Sequence, residues 1–136
     1  MIALPKLRNL KILSLGRNNI KKLQGLDEIG RTLEELWISY NQIEKLDGLQ
    51  NCVSLITMFI NNNLIRDWSE VAKLQQLPEI KNVTLRGNPV YGDDKTLEVI
   101  PKVIIRVPQL DSLDGKMITA AMRSDAEAQI DNEEEE

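Results

Sequence analysis

Apolar residues recur along this chain in a pattern that neither one helix nor one strand explains. Four segments follow a single template, L-x-x-L-x-L-x-x-N-x-I. The first carries Leu10, Leu13, Leu15, Asn18 and Ile20, and the second Leu33, Leu36, Ile38, Asn41 and Ile43. Leu55, Met58, Ile60, Asn63 and Ile65 form the third, and Ile80, Val83, Leu85, Asn88 and Val90 the fourth. The asparagines advance by 23, 22 and 25 residues. That is the period of coils that must stack to bury their apolar sides.

Within each template the alternating L-x-L stretch predicts a short strand with leucines on one face and the x residues on the other. The asparagine falls where the chain leaves the strand. Its amide can serve backbone groups that the turn leaves unpaired, and four in phase predict a ladder. The linking stretches repeat too, with Leu23-Gln24-Gly25-Leu26 and Leu46-Asp47-Gly48-Leu49 in the same phase. The expected fold is therefore α/β: a leucine-rich repeat solenoid with a parallel β-sheet on one face, short helices and turns on the other, and a C-terminal helical cap.

The links differ in detail. Asp67 and Glu70 read as a capping box with Asp67 as N-cap, followed by an apolar stripe of Val71, Leu74 and Leu77. Trp68 stands in the phase of Leu23 and Leu46 and reads as core. Beyond Asn88 the template stops. Residues 95–107 have helical apolar spacing at Leu97, Ile100, Ile104 and Val107, and Pro101 among them predicts a kink or a break. Residues 108–115 read as a short strand ending in a turn. The expected organisation is repeats over 1–90, a cap over 91–116, and over 117–136 an exposed helix with an acidic, disordered end. Residues 1–7 look like the tail of an earlier repeat, which predicts a shortened form of a longer protein and an exposed first strand.

The outward strand positions define a face. One column holds Ile12, Glu35, Thr57 and Asn82, and the next Ser14, Trp37, Phe59 and Thr84. Gly16 and Arg17, Ser39 and Tyr40, Asn61 and Asn62, and Arg86 and Gly87 follow. Parallel strands lie about 4.8 Å apart, so Trp37 and Phe59 are expected side by side. The chain has only five aromatic residues, and three of them (Trp37, Tyr40 and Phe59) fall outward. Large apolar groups facing solvent on a rigid sheet mark a partner surface, with Glu35, Arg17 and Arg86 as a polar rim. The competing readings are packing against the chain's own C-terminal segment and no role at all.

Composition narrows the chemistry. With no histidine there is no imidazole base or ligand, and with Cys52 alone there is no disulfide framework or cysteine-rich zinc site. No apolar run approaches the roughly 20 residues of a membrane span, and the first residues lack a signal-peptide stretch. The expectation is a soluble, reducing, intracellular setting with no cofactor, no metal, no membrane and no enzymatic activity. The net charge is -4, but residues 125–136 hold seven acids and no bases, which leaves +3 on the first 124. That balance is too weak to argue for nucleic acid. Cys52 reads as a structural thiol, Asp111 and Asp114 lack the spacing of a calcium loop, and the sequon at Asn82 lies on a strand.

Beyond the repeat leucines, the residues that carry a family resemblance are the stretch from Ile12 to Lys21, the stretch Leu33-Glu34-Glu35-Leu36-Trp37-Ile38-Ser39-Tyr40-Asn41, the run Asn61-Asn62-Asn63 with Asp67-Trp68, and Gly87-Asn88-Pro89. The closing Arg106-Val107-Pro108 and Leu113-Asp114-Gly115 belong with them. From about Leu7 to Gly115 the chain resembles the leucine-rich light chain 1 family of axonemal outer-arm dyneins, without its N-terminal cap and first repeats. The resemblance implies a non-enzymatic subunit of cilia and flagella, in cytoplasm and cytoskeleton. It implies docking through the sheet face onto the microtubule-binding domain at a heavy chain's stalk tip, with tubulin as a further neighbour. Carried onto this sequence, the contact would centre on Trp37 and Phe59, flanked by Ile12, Ser14, Arg17, Glu35, Tyr40, Thr57, Asn61 and Arg86. Met117 and Arg123 are the candidates for the family's C-terminal contacts. The alternative is a leucine-rich regulatory or scaffold subunit of another complex, such as a phosphatase regulator or a spliceosomal scaffold.

Overall fold

The computed structural model describes residues 9–135 except residue 28, and for residues 130–135 the helical backbone alone. Each template yields one short strand: β1 Ile12–Ser14, β2 Glu35–Trp37, β3 Thr57–Phe59 and β4 Asn82–Thr84. They pair in parallel and in phase, Leu13 with Leu36, Leu36 with Met58 and Met58 with Val83. The inward leucine-type positions therefore form straight files. Leu36, Met58, Ile38, Ile60, Ile43 and Ile65 are fully buried. The first coil is less covered, with Leu10, Leu13, Leu15 and Ile20 only partly buried. The reading of residues 1–7 as an earlier repeat lies outside the described residues.

The ladder has three buried rungs, not four. Each inner asparagine serves the coil before it. Asn41 accepts from the Ile20 N–H and donates to the Leu15 carbonyl, and Asn63 does the same for Ile43 and Ile38. Asn88 repeats this with Ile65 and Ile60. Asn18 is exposed and bonds only the carbonyls of Leu15 and Gly16 in its own coil. In the links, Leu23, Leu26, Leu46 and Leu49 are buried, and Gly48 (φ 99°) lies so close to the Leu23 carbonyl that a Cβ would stand 2.2 Å from it. Only glycine fits there.

The third link is helical, as its apolar stripe predicts, but short. Helix α1 spans Trp68–Ala72 and tightens into a 3-10 turn over Lys73–Gln76. Val71, Leu74 and Leu77 are buried, and Trp68 is half-buried against the core. The capping box does not form. The Asp67 side chain makes no cap bond, and Glu70 turns inward to accept from the Leu46 N–H at 2.8 Å and from Lys73 Nζ at 2.8 and 2.9 Å. A backbone donor in the previous link is the better partner because it is buried and has no other acceptor at hand.

Helix α2 spans Thr96–Arg106 and runs through Pro101 without a break. Proline removes the bond to the carbonyl of Leu97, and Leu97 is exposed. The buried face is Val99, Ile100, Val103 and Ile104, so Leu97 is not part of the core stripe. Two more strands follow. Strand β5, Ser112–Leu113, pairs in parallel with β4, and β6, Lys116–Met117, pairs antiparallel with β5. The Asp114-Gly115 turn between them has φ of 52° and 81°, the two-residue hairpin geometry that Asp-Gly favours. The predicted strand and turn are thus half of a hairpin that closes the sheet. Helix α3 spans Ala120–Glu135, through three of the four terminal glutamates for which disorder is expected. It is not simply exposed: it packs along α2, Ala126 is buried and Met122 lies against the core.

Candidate functional site

Among the described residues, strand alternation leaves one sheet face free of helices. On it, register pairs Ser14 with Trp37 and Trp37 with Phe59. The Trp37 and Phe59 rings stack with centroids 3.8 Å apart and planes 21° from parallel. Trp37 is 40% exposed, Tyr40 46% and Ile12 58%. The indole N–H of Trp37 donates to Glu35 at 2.9 Å, which fixes the ring and consumes its only polar atom. Among the described residues the C-terminal helix packs on α2 and not on this face.

A shallow hollow of about 550 Å³ lies over this stack, with Arg17, Ser39, Tyr40, Asn61, Arg86 and Asp114 along its border. The Arg17 guanidinium sits 4.4 Å from the centre of the Tyr40 ring. Ser39 donates to Asn61 at 2.6 Å. Along the opposite side, Ser112 donates to Asn82 at 2.7 Å and Asn82 to Thr57 at 3.2 Å, so Thr57 belongs to a cross-strand chain. The sequon asparagine is spent there. The face is thus a pre-set aromatic centre with a bonded polar surround, the layout of a protein-docking surface.

Of the C-terminal candidates, Met117 and Arg123 separate. Met117 is directly opposite Ser112 in the hairpin, which continues the outward column of Ile12, Glu35, Thr57 and Asn82. It is 70% exposed and extends this sheet face by one strand. Arg123 instead donates to the carbonyls of Pro108 and Leu110, which pins α3 to the cap. Its guanidinium is committed inside the molecule.

Sequence reasoning weighs Asp114 only as a calcium ligand and sets it aside, and so misses its structural role. One oxygen accepts from the N–H groups of Leu85 and Arg86 at 2.7 and 3.0 Å, the other from Tyr91 Oη and Thr96 Oγ1 at 2.6 and 2.7 Å. It stands 26 residues after Asn88, one repeat step further, and that spacing is the signal that could have found it. Burial and the Asp114 bond push the Tyr91 phenol well above its ordinary range. Cys52 is fully buried, and burial with the nearby Asp27 charge pushes its thiol up to about 11, which suits a structural thiol. No group of acids or cysteine among the described residues is placed to hold a metal ion. No helix of the described residues is long and apolar enough to cross a membrane.

Files of buried leucines, an asparagine ladder and a helix-free sheet face define a leucine-rich repeat protein, and the sequence profile of that family matches residues 6–136. The chain belongs to the leucine-rich repeat family. Within it, the chain is similar to dynein axonemal light chain 1 of Chlamydomonas reinhardtii, 44% identical over 128 residues that cover 91% of this chain and 65% of the relative. It is likewise similar to dynein axonemal light chain 1 of Homo sapiens, 46% identical over 125 residues, covering 89% of this chain and 63% of the relative. The chain therefore spans just under two thirds of these relatives' length. Among solved structures, the Drosophila melanogaster SNF/U2A' complex contains a chain that superposes with a TM-score of 0.79 over 90% of this chain and 69% of its own, at 23% identity. That likeness is one of fold.

Proposed function

We propose that this chain is a non-enzymatic light chain of an axonemal dynein, acting in the cilium or flagellum by docking a heavy chain at the microtubule-binding tip of its stalk. The observation that carries this reading is the Trp37–Phe59 stack: a desolvation-ready aromatic centre, held by Glu35, on a sheet face that no helix among the described residues covers. The similarity to dynein axonemal light chains supports an axonemal dynein as the motor. Docked there, the light chain would sit beside the microtubule surface and modulate engagement of motor and tubulin by contact or orientation.

The test is a titration of the chain against an isolated outer-arm stalk tip. Trp37→Ala with Phe59→Ala should leave circular dichroism unchanged, because both rings project from the sheet, and should weaken binding by ~2 kcal/mol or more. Equal binding by a folded double variant would move the site elsewhere. No binding by the unmodified chain would remove the motor assignment.

A further inference from the structure

The residue before each ladder asparagine sits in left-handed backbone: Arg17 at φ 59°, Tyr40 at 57°, Asn62 at 60° and Gly87 at 81°. The coil imposes this conformation, since the chain must turn back immediately after the strand. Asparagine and glycine accept it at little cost, whereas arginine and tyrosine do not. Two of the four positions therefore carry the wrong residues for stability. Those two are the pair whose side chains stack, Arg17 over Tyr40, on the border of the hollow.

Charge is polarised across the same face. Arg17 and Arg86 are exposed, and among the described residues neither makes an ion pair. Two acids share the face, each bonded to neutral donors rather than to a guanidinium, so the arginine edge holds two cations against the one carboxylate of Asp114. Glu35 lies at the other edge and holds the Trp37 indole, and Asp114 accepts four hydrogen bonds. Arg17 follows β1 and Arg86 follows β4, so they bracket the aromatic coils across three strand spacings, about 14 Å.

We propose that the docking face selects an acidic amphipathic helix, with an apolar ridge on Trp37 and Phe59 and carboxylates about two turns (~11 Å) apart on Arg17 and Arg86. Tyr40 is retained against its backbone preference because its ring holds the Arg17 guanidinium in place. This rests on the sheet face being a docking surface and adds the chemistry of what docks.

Two synthetic helices test it, identical in a leucine ridge and carrying either glutamate or lysine at positions i and i+7. Fluorescence titration at low and high salt should show the glutamate helix binding at least tenfold tighter, with the gap closing as salt rises. Arg17→Ala and Arg86→Ala should each shrink the gap. Tyr40→Asn should raise the melting temperature by a few degrees while weakening the glutamate helix several-fold, an opposite pairing that a structural tyrosine would not give. Equal binding of the two helices, a lysine preference, or binding by neither overturns the proposal. The stalk-tip titration is a separate readout, so a failed motor assignment and a failed acidic preference are distinguishable.

Discussion

Asn63 shows how much one side chain can carry. Its amide satisfies the Ile43 N–H and the carbonyls of Ile38 and Ile60, all buried. Asn63→Ala leaves the Ile43 N–H without a partner and takes one of two donors from each carbonyl, since Ile38 keeps Asn41 and Ile60 keeps Asn88; the loss should be about 2 kcal/mol. Asn18→Ala, at the exposed rung, should cost under ~0.5 kcal/mol. Urea unfolding of both variants checks the contrast, and equal losses would mean that burial does not set the value of a rung. The template made both residues look alike. What separates them is whether a coil lies on the far side, which one repeat's own sequence does not encode.

Among elements, the strands were legible because the period-two alternation and the asparagine phase are local signals, and the in-phase register follows from them. The same logic placed Trp37 beside Phe59. The links were harder. Asp67 and Glu70 have capping-box spacing, yet Glu70 answers to Leu46, a residue 24 positions away. Glu70→Ala should therefore destabilise by about 2 kcal/mol, whereas Glu70→Gln, which keeps an acceptor for Leu46, should lose about half of that. A loss confined to helix α1 signals, with Leu46 protected from hydrogen exchange, would restore the capping role. Met117 was barely legible since its place depends on the hairpin pairing, and the packing of α3 on α2 has no periodic stripe to announce it. The structural role of Asp114 was missed for a related reason: its four donors come from residues 18 to 29 positions earlier.

For the whole molecule, alkaline pH is the exposed side. The folded chain holds protons on Cys52, on Tyr91 and on Lys73 more tightly than the unfolded chain, through burial for the first two and through the Glu70 and Asp47 bonds for Lys73. Groups with raised folded values give stability that is complete below their unfolded values and lost as pH climbs through the folded ones. The earliest is Cys52, between its ordinary 9.0 and about 11. Melting temperature should be level from about pH 7 to 8.5 and fall above about 9. Cys52→Ser, which does not ionise there, should start from a lower plateau but delay the onset toward pH 10, where Tyr91 begins. An unchanged onset in that variant would assign the limb to other groups.

The asparagine ladder has a direction, and the direction matters while the chain is being made. Asn41, Asn63 and Asn88 each complete the coil that was synthesised before them, and Asp114 takes the N–H groups of the fourth. Every coil therefore leaves the ribosome with a debt that only the following one settles. The nascent protein has no finished intermediate to rest in until the closing hairpin has emerged. Stalled or prematurely ended chains would be left with an open last coil, and those are the species that chaperones and quality-control proteases should meet.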